Sequence, residues 1–586
     1  MNMSKLHLIF CGFFIFCPLK MIYVQEAIDS IEERYYDFLS LTGDTERSFL
    51  IYRTLSDSVW QIKNNKNENW HDIWKNNNIG KTRLAWQIKN NKQNFFARGF
   101  KNSIKYKFYG LEWFSSYNTN SPYGVNDGAL WQGAGYNTAF TGGARIEGFG
   151  FEFTFKPQLS YSQNNDYDYC TSSSMQSSLY AGKASDYGYT WTVVDYVQRY
   201  GDDSVKTFDW GDTEIRWNWY SFTLGFGTQA IWLGPTFYSP LLSSNNAASY
   251  PKFDFGLRKT KITVPFLNWY LGDIETRLWV GKLTESDYFD NDSSNDNNQL
   301  SGFTFAYAPS FIKGLTLGVT KITVSKWEDD FWTYANPGFY GNTRTGSKSG
   351  RQGEDQKASL YADWIFPKIG FEVYGELGFD DFLADGIKLY EYERYPLHTL
   401  AWNWGLKKAF DISRKHNLRG ILQFEWNWSE PSQDYQLWYG SSYCWGTHGQ
   451  ITQGYTNRGQ WIGSGYGYGG NSQLLSFTLY SKHGYEKFFI QRNNPDDGYI
   501  YAKAVGADAN TTKILGSTSY TAFKANFNLG FEEMWFITSN VSLRAGIVYN
   551  KIINPKYNPG KDENGDYREY TYTNNFNINW VLKYQF

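Results

Sequence analysis

Apolar and polar residues alternate with a period of two along most of this chain, as extended strands do when their two faces meet different surroundings. Phe149, Phe151, Phe153 and Phe155 share one side of a segment whose other side carries Glu152, Thr154 and Lys156. Ile215, Trp217 and Trp219 alternate with Arg216 and Asn218. Phe371, Val373, Leu377 and Phe379 alternate with Glu372, Glu376 and Asp380. The same pattern places Leu400, Trp402, Trp404 and Leu406 against Asn403 and Lys407. It places Leu422, Phe424, Trp426 and Trp428 against Gln423, Glu425 and Asn427, and Phe523, Phe527, Leu529 and Phe531 against Lys524, Asn526 and Asn528. The clearest strand is the last, with Phe576, Ile578, Trp580, Leu582, Tyr584 and Phe586 on one face and Asn577, Asn579, Lys583 and Gln585 on the other.

The start of the chain has a different period. Ile28, Ile31, Tyr35 and Phe38 recur at helical spacing, Glu32, Glu33, Arg34 and Asp37 take the opposite face, and Gly43 is a natural stop. A second short helix is expected over Ser56–Ile62, and the region reads as a small soluble cap. From about Lys81 the alternation takes over.

Alternating strands fit a soluble sandwich with apolar faces inward, or a transmembrane barrel with apolar faces toward lipid. Strands of about ten residues match a tilted bilayer crossing. Trp is too frequent on the apolar faces for a close-packed sandwich core, where each indole N–H needs a partner. The reading is therefore an all-β transmembrane barrel with a small N-terminal helical region. About 500 residues at roughly 25–30 per strand and connection give about sixteen to twenty strands, an even number being expected.

Composition sharpens this picture. The 586 residues include 47 Tyr, 44 Phe and 25 Trp, with a formal net charge of -2. That suits aromatic girdles at two membrane interfaces, and no basic excess points to nucleic acid. Lys5 followed by the apolar run Leu6–Leu19 reads as a secretory signal with cleavage near Val24–Ala27. No later stretch is a transmembrane helix. The expected division is a signal peptide over 1–25, a periplasmic helical region over 26–80 and an outer-membrane barrel over 81–586. Cys11 and Cys17 leave with the signal, while Cys170 and Cys444 leave room for one disulfide.

Catalytic chemistry is not indicated. The 6 His are scattered without metal-ligand spacing, and no nucleophile elbow is present. Asp380 and Asp381 are neighbours on a strand and point to opposite faces. The acidic run Asp287–Asp296 lacks regular calcium-loop spacing and reads as a solvated loop. Other outer loops are expected over Asn164–Ser185, Glu285–Leu300 and Asp329–Gln356. Trp438, Tyr439, Tyr443 and Trp445 suit girdle or loop packing better than sugar contact.

One stretch interrupts the alternation differently. Between Ile231 and Pro251 the chain reads IWLGPTFYSPLLSSNNAASYP, too rich in Gly, Pro, Ser and Asn for a strand. Irregular backbone at membrane depth is tolerated only inside protein or against a wet cavity. Part of Gly234–Pro251 is therefore expected to turn into the lumen, with Asn245 and Asn246 hydrogen-bonded to the wall.

This stretch and two others resemble the capsule-assembly Wzi family of outer-membrane proteins. The others are NDGALWQGAGYN, from Asn126 to Asn137, and GYTNRGQWIGSGYGYGGNSQ, from Gly454 to Gln473. Tyr35–Arg53 also looks like that family's helical entry. Leu233, Thr236 and Asn457 depart from the family's usual Trp, Gly and His. The resemblance implies about eighteen strands, N-terminal helices packed at the periplasmic end, and a lectin-like role at the surface. It implies non-covalent binding of capsular polysaccharide by a monomer in outer-membrane lipid, with no cofactor, metal or catalytic centre. The family-motif residues, structural or glycan-binding, are Trp131, Gly133, Gly135, Asn137, Trp232, Gly234, Pro235, Asn245, Asn246, Tyr455, Arg458, Gly459 and Asn471. The alternative function is a porin or channel for small solutes, since a barrel of this size has room for an aqueous lumen.

Overall fold

The computed structural model describes residues 30–54, 61–62, 73–74, 105–169, 194–289, 292–327, 354–380, 400–430, 445–448, 451–466, 469–495, 524–556, 566 and 569–585. Within them, eighteen antiparallel strands close into a barrel running from Lys105–Asn118 to Tyr572–Tyr584. The last strand closes the ring by pairing with the first, from Asn577 opposite Asn118 to Lys583 opposite Glu112. Two of the strands are broken. Phe151–Phe155 and Gln158–Ser162 run in line along one neighbour, Gly135–Gly148. Pro157 lies in the gap, where a residue without an N–H cannot extend the ladder. The next strand is broken at the same level, into Val205–Asp209 and Glu214–Trp219.

The alternation read from the sequence decides which way each face points. Phe151, Phe153 and Phe155 are exposed on the outer surface while Glu152 and Thr154 are buried in the lumen. Ile215 and Trp217 point out and Arg216 in; Val373, Leu377 and Phe379 point out and Glu372, Glu376 and Asp380 in. On the last strand Phe576, Ile578, Leu582 and Tyr584 face out, and Asn577 and Lys583 face in. Closure pairs every strand with two neighbours, so the sheet has no edge to expose in lipid. No helix among the described residues is long and apolar enough to cross a membrane.

Turns at one end are short, as at Ser481–Gly484 and between Phe536 and Val541. At this end sits α1, Ile31–Leu41. Its N-cap is Ser30, whose hydroxyl accepts from the Glu33 N–H at 3.2 Å. It stops at Thr42, and Gly43 follows with φ 77°, where the sequence placed the stop. Ile28 lies outside the described residues. So do 55–60, most of the second expected helix. Its described remainder, Gln61–Ile62, is strand and pairs with Thr45–Glu46, which gives those backbone groups partners a helix would have supplied locally. Lys81 and the expected boundary there also lie outside the described residues.

The helix is not a solvated cap. Its apolar side stacks into the barrel mouth, Tyr35 on Trp74 at 4.0 Å and Phe38 on Tyr480 at 4.8 Å between ring centroids. Its polar side is buried as well. Asp37 meets Arg47 and the wall residue Lys407, each at 2.6 Å, and Glu32 meets Lys583 at 2.7 Å. Arg47 reaches on to Asp363 at 2.7 Å and Glu372 at 2.9 Å. A helix that looked amphipathic toward water is thus amphipathic toward a charged lumen.

Burial alone would raise the Asp37 carboxyl, but Arg47 and Lys407 outweigh it and hold the group well below the ordinary carboxylate range. A depressed folded pKa contributes stability above the unfolded value, about 3.9, that is lost only as pH falls through the folded one. The helix is therefore expected to stay docked at about pH 4–5. Protease cleavage within α1 as a function of pH checks this; release near pH 5 would refute it.

Candidate functional site

At the opposite end the connections are long, and three described parts of them fold into the lumen: 119–134, 228–251, and 445–448 with 451–466. The middle one dips far enough for Trp232–Leu233 to form a two-residue sheet with Tyr52–Arg53 of the N-terminal region. Gly234 follows with φ 89°, a left-handed conformation that turns the chain back, and a Cβ there would meet Glu376 at 3.2 Å. Pro235 is partly buried, and the Trp232 indole donates to the Thr236 carbonyl at 2.9 Å.

The barrel wall holds this insert by its backbone. Glu425 accepts from the N–H groups of Phe237 at 2.5 Å and Tyr238 at 2.9 Å. Glu376 accepts from Leu241 at 3.2 Å, and Asn403 donates to the Ser239 carbonyl at 3.0 Å. Glu275 does the same for the N-terminal region, accepting from Leu50 and Ile51 at 2.7 Å and Tyr52 at 3.3 Å. Inward carboxylates thus supply the acceptors that irregular backbone lacks. Leu233, Leu241, Leu242, Trp279, Tyr455 and Trp461 pack among the inserts and the wall as one hydrophobic cluster, which also takes in Trp445.

The insert does enter the lumen, but its two asparagines bond to other inserts rather than to the wall. Asn246 donates to the Trp461 carbonyl at 2.9 Å and accepts from the Asn126 N–H at 3.2 Å. Asn245 offers its backbone carbonyl to Gly128 at 2.8 Å, and its side-chain oxygen accepts no hydrogen bond. The wall residues at this depth are already engaged with the backbone of 237–241, so the asparagines tie insert to insert. Tyr455 donates to the Leu242 carbonyl at 2.7 Å and meets Trp461 edge-on at 5.5 Å. Arg458, with φ 50°, donates its N–H to Thr284 at 2.7 Å while its side chain lies half exposed, 4.0 Å from Asp209.

The first insert is pinned by amides. Asn137 is fully buried, donates to the carbonyls of Gly133 at 3.0 Å and Gly135 at 3.1 Å, and accepts from Ser162 at 2.6 Å. The Trp131 indole donates to Asn164 at 3.1 Å, and its ring lies 4.9 Å from that of Tyr200. Asn164 is buried, so the expected outer loop beginning there starts as packed structure. Another expected loop, Glu285–Leu300, already enters a strand at Asn297. The strand Glu354–Phe366 likewise takes up the end of the expected loop Asp329–Gln356.

Above the inserts lies a cavity of about 240 Å³ at the long-loop end. Trp131, Asn246 and Gly459 of the predicted residues line it. Gly133, Gly135, Asn137, Trp232, Gly234, Pro235, Tyr455 and Arg458 do not; Asn245 lines a deeper cavity. Asn471 stands apart, buried at the start of its strand, where Gln473 donates to it and Arg492 lies 3.5 Å away.

The rest of the lining was not singled out by sequence. Tyr123, Tyr167, Tyr196 and Tyr466 add aromatic rings, and Gln491, Asn493, Asn526, Asn528 and Asn550 add amides from three neighbouring strands. The amides are held in place by one another: Asn528 donates to Gln491 at 2.9 Å, Gln491 to Ser472 at 3.0 Å, and Asn550 to Asn528. Burial pushes the Tyr167 and Tyr196 hydroxyls up, so both are neutral at physiological pH. The available signal was that amides recur at inward positions near the long-loop ends of these strands, whereas the inward charges Lys487, Glu532 and Arg544 lie deeper. Cys170, Cys444, Trp438, Tyr439 and Tyr443 lie outside the described residues.

Such a cavity offers flat aromatic faces beside fixed amide donors and acceptors, with Asp127 and Lys524 as its charged members. That combination suits a neutral, hydroxyl-rich ligand, which stacks its apolar face and hydrogen-bonds its rim.

The sequence profile of the capsule assembly protein Wzi family matches residues 118–565. No curated protein matches the sequence. Among solved structures, the chain is similar to Wzi of Escherichia coli, an outer-membrane, carbohydrate-binding β-barrel involved in group 1 capsule assembly. The two are 10% identical over 97% of this chain and 100% of that one, with a TM-score of 0.57, a likeness of fold. OccAB4 and OccAB2 of Acinetobacter baumannii also match, at 8% and 12% identity and TM-scores of 0.36 and 0.37. They cover 83% and 84% of this chain, and 98% and 100% of their own.

Proposed function

The chain belongs to the capsule assembly protein Wzi family, and from that membership we propose that it binds capsular polysaccharide non-covalently and helps retain it at the cell surface. Its place is the bacterial outer membrane, with the apolar outer face of the barrel in lipid. One observation carries the reading: the cavity at the long-loop end joins aromatic rings to a fixed set of amides, and barrels of this kind turn their long connections outward. Glycan enters between Trp131 and Tyr466 and is held by stacking and by the strand-borne amides. Attachment needs no bond to be made or broken, so the proposed role is that of a lectin rather than an enzyme.

Deleting the gene is expected to shift capsule from the cell surface to the medium, and the purified protein should bind capsule oligosaccharide in calorimetry. Trp131→Ala removes a stacking face worth about 1–1.5 kcal/mol and should weaken that binding about tenfold. Its barrel should still migrate as folded protein. Unchanged capsule retention together with no calorimetric binding would count against the reading.

A further inference from the structure

The rim at the short-turn end is electrically lopsided. Four successive turns, 310–314, 367–370, 414–417 and 482–483, carry Lys313, Lys368, Arg414, Lys415 and Lys482 without an Asp or Glu. The four other described turns, 149–150, 220–221, 264–269 and 537–540, hold no Lys, Arg, Asp or Glu at all. Barrels of this kind turn their short connections to the periplasm, so these cations stand at the inner leaflet of the membrane.

Three lysines gather about the turn 367–370. Lys368 is exposed on the turn itself, and Lys408 of the next strand donates to the Ile369 carbonyl. Lys313 belongs to the preceding turn, which is tied alongside. There the Ile365 N–H donates to the Gly314 carbonyl at 3.0 Å, and the Trp364 indole to the Lys313 carbonyl at 3.3 Å. Among the described residues, no carboxylate forms an ion pair with any of the three. Asp44 and Asp411, which share a small cavity with Lys368, are each bound by Arg419, at 3.1 and 3.0 Å.

The outer wall above this turn has a gap in its apolar surface. Gly375 stands opposite Ala362 on one side and Trp404 on the other. Leu360, Leu377 and Trp402 surround them, and the two small residues leave a shallow hollow of about 610 Å³. The backbone does not force this gap. Gly375 lies in extended strand, and a Cβ there would come no closer than 3.3 Å to its neighbours. Ala362 and Gly375 are each four residues from the ends of their strands, Phe366 and Phe371. At about 3.4 Å per residue and a tilt of about 40°, the hollow lies roughly 10 Å deeper in the membrane than the turn. An acyl chain spans about 15 Å, half the hydrocarbon core.

We propose that this rim binds an anionic phospholipid of the periplasmic leaflet, with its headgroup on Lys313, Lys368 and Lys408 and an acyl chain in the hollow. The turn tips favour lipid over a soluble acidic partner. Phe311 and Ile369 are 77% and 59% exposed beside Lys313 and Lys368, and a membrane interface receives both kinds of side chain. Glycan binding at the far end plays no part in this site.

The test is native mass spectrometry of the purified full-length protein in detergent with equal amounts of phosphatidylglycerol and phosphatidylcholine. Heat-modifiable migration confirms that every variant is folded. One phosphatidylglycerol should be retained in preference to phosphatidylcholine. Lys313→Gln with Lys368→Gln should lower that retention about 25-fold, about fivefold for each lysine beside an anionic headgroup. Ala362→Leu fills the hollow without touching the charges, and should weaken retention while leaving the preference between the two lipids unchanged. Lys326→Gln, which removes an exposed lysine at the long-loop end, should change neither. Glycerol 3-phosphate, a headgroup without chains, should fail to displace the lipid. Equal retention of the two lipids would overturn the proposal. So would displacement by glycerol 3-phosphate, full retention in Ala362→Leu, or a loss in Lys326→Gln as large as in the rim pair.

Discussion

Asp254→Ala is expected to destabilise the barrel itself by about 3–5 kcal/mol, the cost of stripping a partner from buried charge. Asp254 is wholly buried and binds two arginines, Arg277 on an adjacent strand and Arg216 two strands away, across Gly225. Arg216 reaches its two oxygens at 2.8 and 2.7 Å, and Arg277 adds a third contact at 2.8 Å. Glu214 supports Arg216 at 3.0 Å, so two cations balance two carboxylates in a site shut off from water. Removing one carboxylate leaves an excess positive charge with little solvent to screen it. The folded band on unboiled gels should be lost at a clearly lower temperature than for the unaltered chain. Asp254→Asn, which keeps an acceptor but loses the charge, should fall between. Asp254→Ala combined with Arg277→Met should recover part of the loss, because the surplus charge is gone. No recovery in the double variant would show that shape, not charge, sets the cost.

Glu275→Ala should act on the plug while leaving the barrel closed. One oxygen of this wall carboxylate accepts three successive backbone N–H groups, from Leu50, Ile51 and Tyr52. Each buried donor left without an acceptor costs about 1–3 kcal/mol, and neighbouring donors share water once the first is exposed. A total of about 3–4 kcal/mol is expected, borne by the docking of the N-terminal region rather than by strand pairing. Limited proteolysis should then cut near residues 50–54 in folded, membrane-embedded protein. Glu275→Gln retains one acceptor oxygen and should be cut more slowly. If the barrel band disappears together with the plug, wall and plug fold as one unit and this separation is wrong.

Glu372, Glu376 and Glu425 could be placed on lumen faces from their alternation with aromatic neighbours. That Glu376 and Glu425 would grip backbone, and Glu372 the Arg47 side chain, could not, because their partners lie far away in the chain: Tyr238 is 187 residues from Glu425. The same holds for α1. Its helical spacing and its stop at Gly43 were legible, since both follow from local geometry. Its polar face was read as solvated because Glu32 and Asp37 carry no mark of Lys583 and Lys407, which the barrel brings to them.

The candidate glycan site was legible in part for a related reason. Trp131, Asn246 and Gly459 belong to stretches whose composition forbids regular strand, and such stretches draw attention. Gln491, Asn528 and Asn550 sit in ordinary strands, where an inward amide looks like any other lumen position. Only the pairing of three strands aligns them into one surface.

A period of two is a property of the single extended chain, so the sequence determined the strands, their lipid-facing sides and the need to bury the irregular stretch 231–251. Ring closure, the descent of three inserts and the matching of buried charges join residues tens to hundreds of positions apart. Those were decided by the tertiary structure alone, because no local pattern records which distant acceptor a buried donor will find.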